Sequence, residues 1–113
     1  WTPDRAEALA LLEDVDRLAA AGDYAEAVHL LLRRSVGQIA AARPAWIEPA
    51  STAREIAALD ALPARARAAF ALIAERVERS RFALRALVLE DWQAARAAYA
   101  DFALNELAAE GAA

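Results

Sequence analysis

The chain of 113 residues lacks, or nearly lacks, the side chains on which several kinds of functional site depend. It contains no cysteine, so disulfides, thiol catalysis and cysteine-ligated zinc are excluded. Its single histidine, His29, has no companion ligands at metal-binding spacing, and we expect neither a metal nor a cofactor. No glycine-rich loop able to hold phosphate is present.

Two further absences concern the protein as a whole. The chain contains no methionine, so we expect it to be an excised or processed piece of a longer protein. It also has no apolar run near the roughly 20 residues needed to cross a bilayer, so we expect any membrane span to lie outside it. Every basic residue is arginine, which together with abundant alanine is typical of a GC-rich bacterial genome.

The residues that are abundant predict an all-α fold. Alanine and leucine, the strongest helix formers, dominate, whereas glycine and the β-branched residues typical of strands are sparse. We therefore predict a single domain over residues 1–113, a compact bundle of about five helices with antiparallel helical hairpins. The net charge of −4 and the mixed signs along the chain leave no basic stripe for nucleic acid.

Local signals place the first two helices. Thr2 and Pro3 are typical of a helix start, and Gly22 of a helix end in the left-handed conformation. Asp23 with Glu26 predicts a capping box at the start of the second helix. Because only about two residues join them, these two helices should form an antiparallel hairpin.

The remaining helices follow a break in the pattern at residues 43–51, where we expect Trp46 and Ile47 to fold over the end of the bundle. Thr52 predicts the start of a short third helix, Pro63 that of the fourth, and the acidic pair at residues 90–91 that of the fifth. Residues 82–89 fit either a helical continuation or an extended connection. The predicted buried positions of the last two helices are Ala66, Phe70, Ile73, Val77, Trp92, Ala95, Tyr99 and Phe102.

The most informative polar motif comprises Thr52, Arg54 and Glu55. Thr followed three residues later by Glu forms a capping box, in which each side chain satisfies an unpaired backbone N–H of the first turn. Arg33 and Arg34, near the end of the second helix, are the nearest candidates to pair with Glu55. We interpret this motif as a structural brace; the alternative is a site for an anion or a partner protein.

Catalysis is not expected from these residues. His29 is flanked by apolar residues and reads as a partly exposed helix residue. The paired carboxylates at residues 14 and 16, 75 and 78, and 90 and 91 are explained by solvated helix faces or helix starts. No serine or threonine stands in a nucleophile-elbow context.

Several of these features occur together in one order, at residues 23–27, 30–33, 52–55, 70–77, 82, 90–92, 95–96 and 99. In this order and spacing the chain resembles the bacterial family catalogued as domain of unknown function forty-one twenty-nine. The resemblance covers nearly everything from Gly22 onward. It maps Arg33, Thr52, Arg54 and Glu55 onto the family's motif positions, to which no chemistry is assigned. Many relatives carry two glycines where Ala83 and Leu84 stand here.

The resemblance implies a setting for the domain. Members carry it after a transmembrane helix, some fused to transglutaminase-like proteins and others encoded beside a MoxR-type AAA+ ATPase. It therefore implies a non-catalytic domain at the cytoplasmic face of the inner membrane that mediates protein–protein interaction or assembly.

Two alternatives stay open. The chain around Gly22 and Tyr24 resembles the turn of a tetratricopeptide hairpin, which would make a peptide-binding adaptor with a concave groove. The other alternative is an accessory domain of a transglutaminase-like enzyme.

Overall fold

The structure, a computed structural model, describes residues 2–46, 53–82 and 86–104, apart from the side chains of residues 46, 53, 54 and 82. These residues form five α-helices and one short 3-10 helix, and no strand occurs among them. The all-α prediction is confirmed. The helices are α1 (Arg5–Ala20), α2 (Tyr24–Ala42), α3 (Ala53–Ala57), α4 (Ala64–Phe82) and α5 (Leu89–Ala103), with the 3-10 helix at Pro44–Trp46.

The turn between α1 and α2 is set by Gly22. Its φ of 84° lies in the left-handed region, which only glycine adopts without strain. The Gly22 N–H donates to the carbonyl of Ala19 at 2.9 Å, and the Asp23 N–H to that of Leu18 at 3.0 Å. This pair of bonds is a Schellman motif, and it satisfies two carbonyls that the end of α1 would otherwise leave unpaired. The predicted hairpin turn is confirmed.

Four helices close into a ring, in which α1 packs on α2, α2 on α4, α4 on α5, and α5 back on α1. Neighbours run antiparallel, because residues near the end of one helix face residues near the start of the next. Arg81, late in α4, lies within electrostatic range of His29, early in α2. Arg79, also late in α4, contacts Asp91, early in α5. The helices α2 and α5 also touch across the ring.

The interior of the ring is apolar and contains the predicted faces. Phe70, Tyr99 and Phe102 form its aromatic part, with ring centroids 6.1 Å apart for Phe70 and Phe102. Tyr99 meets Phe102 edge-on at 5.6 Å, a favourable geometry for aromatic pairs. All eight positions predicted for α4 and α5 are buried: Ala66, Phe70, Ile73, Val77, Trp92, Ala95, Tyr99 and Phe102.

Helix α3 lies outside the ring against α4. Its Ile56 is buried, and Leu62 in the following turn is buried as well, so this segment is anchored by apolar contact. The predicted third helix is confirmed by α3 itself, whereas Thr52, its predicted first cap, lies outside the described residues. Of the loop at residues 43–51, the structure describes only the part through Trp46.

Two predicted helix starts are wrong in detail. Helix α1 begins at Arg5 rather than at Pro3, because Asp4 has an extended ψ of 139° and Pro3 is buried before the first turn. Asp23 precedes α2 as predicted, but its side chain makes no capping hydrogen bond, so the capping box with Glu26 is not formed. The first turn of α2 therefore keeps only the favourable charge of Glu26 near its N-terminus.

The start of α5 combines a cap with a tertiary contact. The Val88 N–H donates to Asp91 Oδ2 at 3.1 Å, so a first-turn carboxylate satisfies a backbone donor just before the helix. The predicted acidic first turn at residues 90–91 is confirmed. In the ambiguous segment 82–89, α4 continues through Phe82, while residues 86–88 are not helical.

Candidate functional site

The motif singled out in the sequence is only partly described. Glu55 is exposed on α3, whereas Thr52 and the side chain of Arg54 lie outside the described residues. Helix α3 packs mainly on α4, and Arg33 and Arg34 lie in the middle of α2 rather than near its end as predicted. The motif is therefore not assembled around those two arginines.

Arg34 is held elsewhere. Its guanidinium donates to Asp14 Oδ2 at 2.6 Å, which joins α2 to α1. This hydrogen bond holds the pKa of Asp14 below its ordinary value. The expected pairing of Arg34 with Glu55 is thus wrong: the partner is a carboxylate of α1, because α1 lies beside α2 in the ring while α3 lies beyond α4.

Arg33 is exposed and lines an open groove between α1 and α2. The groove has a volume of about 550 Å³. Residues of both helices line it, among them Glu7, Ala10, Arg33, Gly37, Gln38 and Ala41. The groove thus places Arg33, a site residue predicted from the sequence, on a concave surface of the described structure.

Gly37 stands in the middle of the groove wall and within a regular helix. Glycine at such a position costs about 1 kcal/mol relative to alanine. A Cβ added at Gly37 would meet nothing within 4 Å, so the chain's own packing does not require glycine here. The missing side chain leaves the α2 backbone open to close approach from outside.

Arg34 also lines the groove and is paired with Asp14, but the other two charges of the groove have no ion-pair partner among the described residues. Arg33 and Glu7 are both exposed, and neither forms an ion pair with the residues that the structure describes. They lie at opposite ends of the groove. Because Asp14 pairs with Arg34 and the two helices are antiparallel, moving seven residues along each places Glu7 level with Ala41.

The charged corner between α4 and α5 differs, since each of its four residues contacts two residues of opposite charge. Asp91 Oδ1 lies 3.1 Å from Arg76 Nε and 3.2 Å from the Arg79 guanidinium. Glu75 in turn pairs with both arginines, at 2.6 Å to Arg79. These two hydrogen bonds lower the pKa of Glu75, against a desolvation effect that acts to raise it. This corner is an architectural ion-pair network.

Two further polar contacts hold α5 in place. The Arg96 guanidinium donates to both carboxylate oxygens of Asp16 on α1, at 2.7 and 2.9 Å. The buried Tyr99 hydroxyl donates to Gln38 Oε1 on α2 at 2.7 Å, and burial raises the pKa of Tyr99 to about 12. The carboxylates at residues 14 and 16 are therefore only partly solvated; each pairs with an arginine of another helix, a contact for which local spacing gives no signal.

His29 is half-buried on α2, as expected for a partly exposed helix residue. Its burial lowers the pKa of the imidazole, and the charges of Arg81 and Arg33 act in the same direction. At neutral pH the ring is thus uncharged. Within the described ranges, no group of three or more histidine and acidic side chains is placed to hold a metal ion.

No helix among the described residues is long and apolar enough to cross a membrane. In comparisons with known proteins, the chain matches no family model, no curated protein and no solved structure. The family resemblance of residues 22–99 therefore stays a prediction.

Proposed function

We propose that this chain is a non-catalytic docking domain and that the groove between α1 and α2 is its binding surface. One observation carries the proposal: Arg33 and Glu7, which have no ion-pair partner in the described part of the chain, lie at the two ends of a groove whose wall contains Gly37. A docked partner would explain both features. It would pair with charges that the fold does not use, and it would contact the α2 backbone that Gly37 exposes at a cost in helix stability.

The chemistry of the groove favours a protein partner over a small molecule. Small residues such as Ala10 and Ala41, both exposed, line the groove beside longer side chains such as Leu30. Small-molecule sites are usually enclosed and lined by large apolar and aromatic groups. An open groove with small residues instead suits the side of another helix, which can approach closely where side chains are short.

The family resemblance supplies a setting for this proposal. On that basis the domain is held at the cytoplasmic face of the inner membrane by a segment outside these residues. The protein partners that this setting implies for the domain are a MoxR-type AAA+ ATPase or neighbouring membrane proteins.

The proposal is tested by site-specific photo-crosslinking of the full-length protein in the cells that produce it. A photoreactive amino acid replaces Ala41 in the groove or, as a control, Gln93 on the exposed face of α5. We expect discrete protein adducts from position 41 that position 93 does not give. We also expect Arg33→Glu to weaken these adducts, because it reverses the charge beside the crosslinker.

Equal crosslinking from both positions would contradict the proposal. So would adducts from position 41 that persist unchanged in the Arg33→Glu variant. Circular dichroism of each variant establishes that the fold is retained, which is expected because all the changed positions are exposed.

A further inference from the structure

We propose that the partner in the groove is a second copy of this chain, docked with its own α2 antiparallel across the first. This inference rests on the proposed docking function and names its occupant. The two copies would be related by a two-fold axis that passes close to Gly37. Each copy then presents the same surface to the other, as in most symmetric dimers.

The spacing along α2 fits this axis. Arg33 and Ala41 each lie four residues from Gly37, one on either side, which is about 6 Å along the helix. Four residues is close to one helical turn, so the three positions share a face. A two-fold rotation about Gly37 therefore places Arg33 of one copy over position 41 of the other.

The charges are complementary to a second copy. Glu7 of α1 is level with Ala41, so the rotation that places Arg33 over position 41 also brings it towards Glu7 of the partner copy. The reverse contact forms by the same symmetry. Both charges that each copy leaves uncompensated are thus paired in the dimer, with no like charges of this set opposed.

The small residues are placed where two helices would cross. Gly37 lies at the axis, and Ala10 and Ala41 border it in the groove. With no Cβ at Gly37, the two α2 backbones can approach more closely than the usual 8–10 Å between helix axes. The glycine that the monomer does not require becomes the centre of the contact.

The dimer should be weak. A crossing of two helices over one groove buries area at the lower end of the range for stable interfaces. We therefore expect a dissociation constant on the order of 10 µM, which is about 7 kcal/mol of association free energy. Sedimentation equilibrium over a range of concentrations measures it directly.

Charge reversal provides the decisive test. Arg33→Glu should abolish dimerisation, because it opposes two carboxylates at each end of the interface, and Glu7→Arg should do the same with two arginines. A mixture of the two variants should dimerise again, since residue 33 of each then meets an opposite charge at residue 7 of the other. The double variant with both changes should also dimerise, whereas Arg65→Glu, an exposed change on α4, should leave association unaltered.

The two-fold axis is tested separately by a single cysteine. The chain has none of its own, so Gly37→Cys introduces one thiol per copy at the proposed axis. Mild oxidation should link its dimer much faster than that of Ala68→Cys, a control on the exposed face of α4. Linkage at equal rates would overturn the arrangement.

The results separate the two proposals. A chain that stays monomeric at about 500 µM, fifty times the expected constant, overturns the second copy as the occupant. So does a dimer that survives Arg33→Glu, or a mixture of variants that fails to associate. If photo-crosslinking at position 41 then captures a different protein, the docking function stands with another occupant; without such capture, both proposals fail.

Discussion

The corner between α4 and α5 and the groove between α1 and α2 use charge in opposite ways. At the corner, Asp91 contacts two arginines of the neighbouring helix, and its side chain is only 13% exposed. In the groove, Arg33 and Glu7 are exposed and unpaired among the described residues. The charges at the corner join two helices, whereas Arg33 and Glu7 in the groove remain available to a partner outside the fold. Sequence spacing alone does not distinguish these cases, since both sets of charges occupy regular helices.

The largest expected effect comes from the apolar packing of α4 on α5 inside the ring. Phe70→Ala removes a ring that is 1% exposed and packs against Phe102. Removing a buried aromatic side chain leaves a cavity and costs about 3–5 kcal/mol of unfolding free energy. Urea denaturation followed by circular dichroism measures the loss. Leu89→Ala, at a 43% exposed position, is the control and should change stability little. Equal losses from the two variants would show that Phe70 does not pack in a core shared by α4 and α5.

Asp91→Ala should have the next largest effect. It leaves Arg76 and Arg79 with Glu75 as their remaining shared carboxylate and the Val88 N–H without its side-chain acceptor. We expect a loss of about 2 kcal/mol, the usual value of hydrogen bonds to charged groups. Glu90→Ala is the matched control, because that carboxylate is exposed and acts only on the helix dipole. Similar losses from the two variants would mean that the corner is no more stabilising than a surface charge.

In the groove, a substitution should increase the free energy of unfolding instead of lowering it. Gly37→Ala adds a methyl group to open space within a helix, so it should stabilise the chain by about 0.5–1 kcal/mol. The same substitution at Gly22 should destabilise it, because φ there is 84°. Denaturant midpoints of the two variants give the comparison. A destabilising Gly37→Ala would indicate an internal packing need that the structure does not contain.

The smallest effect concerns Asp14, which links the groove wall to α1. The hydrogen bond with Arg34 lowers the pKa of this carboxyl below its ordinary 3.8. A lowered pKa adds stability that is complete above the ordinary value and is lost as the pH falls through the folded value. Asp14→Asn should therefore reduce the difference in melting temperature between pH 7 and pH 3. Asp4→Asn, at an exposed position without an ion pair among the described residues, is the control and should change that difference less.

The features that could be predicted from the sequence are those whose pattern lies within a short stretch of chain. The apolar faces of α4 and α5 repeat every three to four residues, so Phe70, Ile73, Trp92 and Tyr99 could be assigned to the core. Gly22 could be assigned to a turn because left-handed backbone strongly favours glycine. Both signals are contained within one or two helical turns.

The polar partners could not be predicted in the same way. Arg34 lies twenty residues from Asp14, and Arg96 lies eighty from Asp16. Which carboxylate an arginine meets depends on how the helices are arranged, and the expected pairing with Glu55 failed because α3 packs on α4. The groove depends on the same arrangement. Gly37 offered a signal that was missed, namely a glycine inside a helix with no cap or turn to explain it.

Ser35 carries one more consequence. It is the buried polar residue of the described core, and its hydroxyl donates to carbonyls of its own helix, at 2.7 Å to Leu31 and 3.0 Å to Leu32. The Ser35 hydroxyl thus gives no information about which helix should lie opposite, unlike the buried Tyr99 hydroxyl, which donates to Gln38 of α2. A core of alanine, leucine and aromatic rings accepts more than one sliding position of its helices. The relative positions of these helices are therefore set mainly at the perimeter of the bundle. There Arg34, Arg96 and Arg76 pair with carboxylates of neighbouring helices.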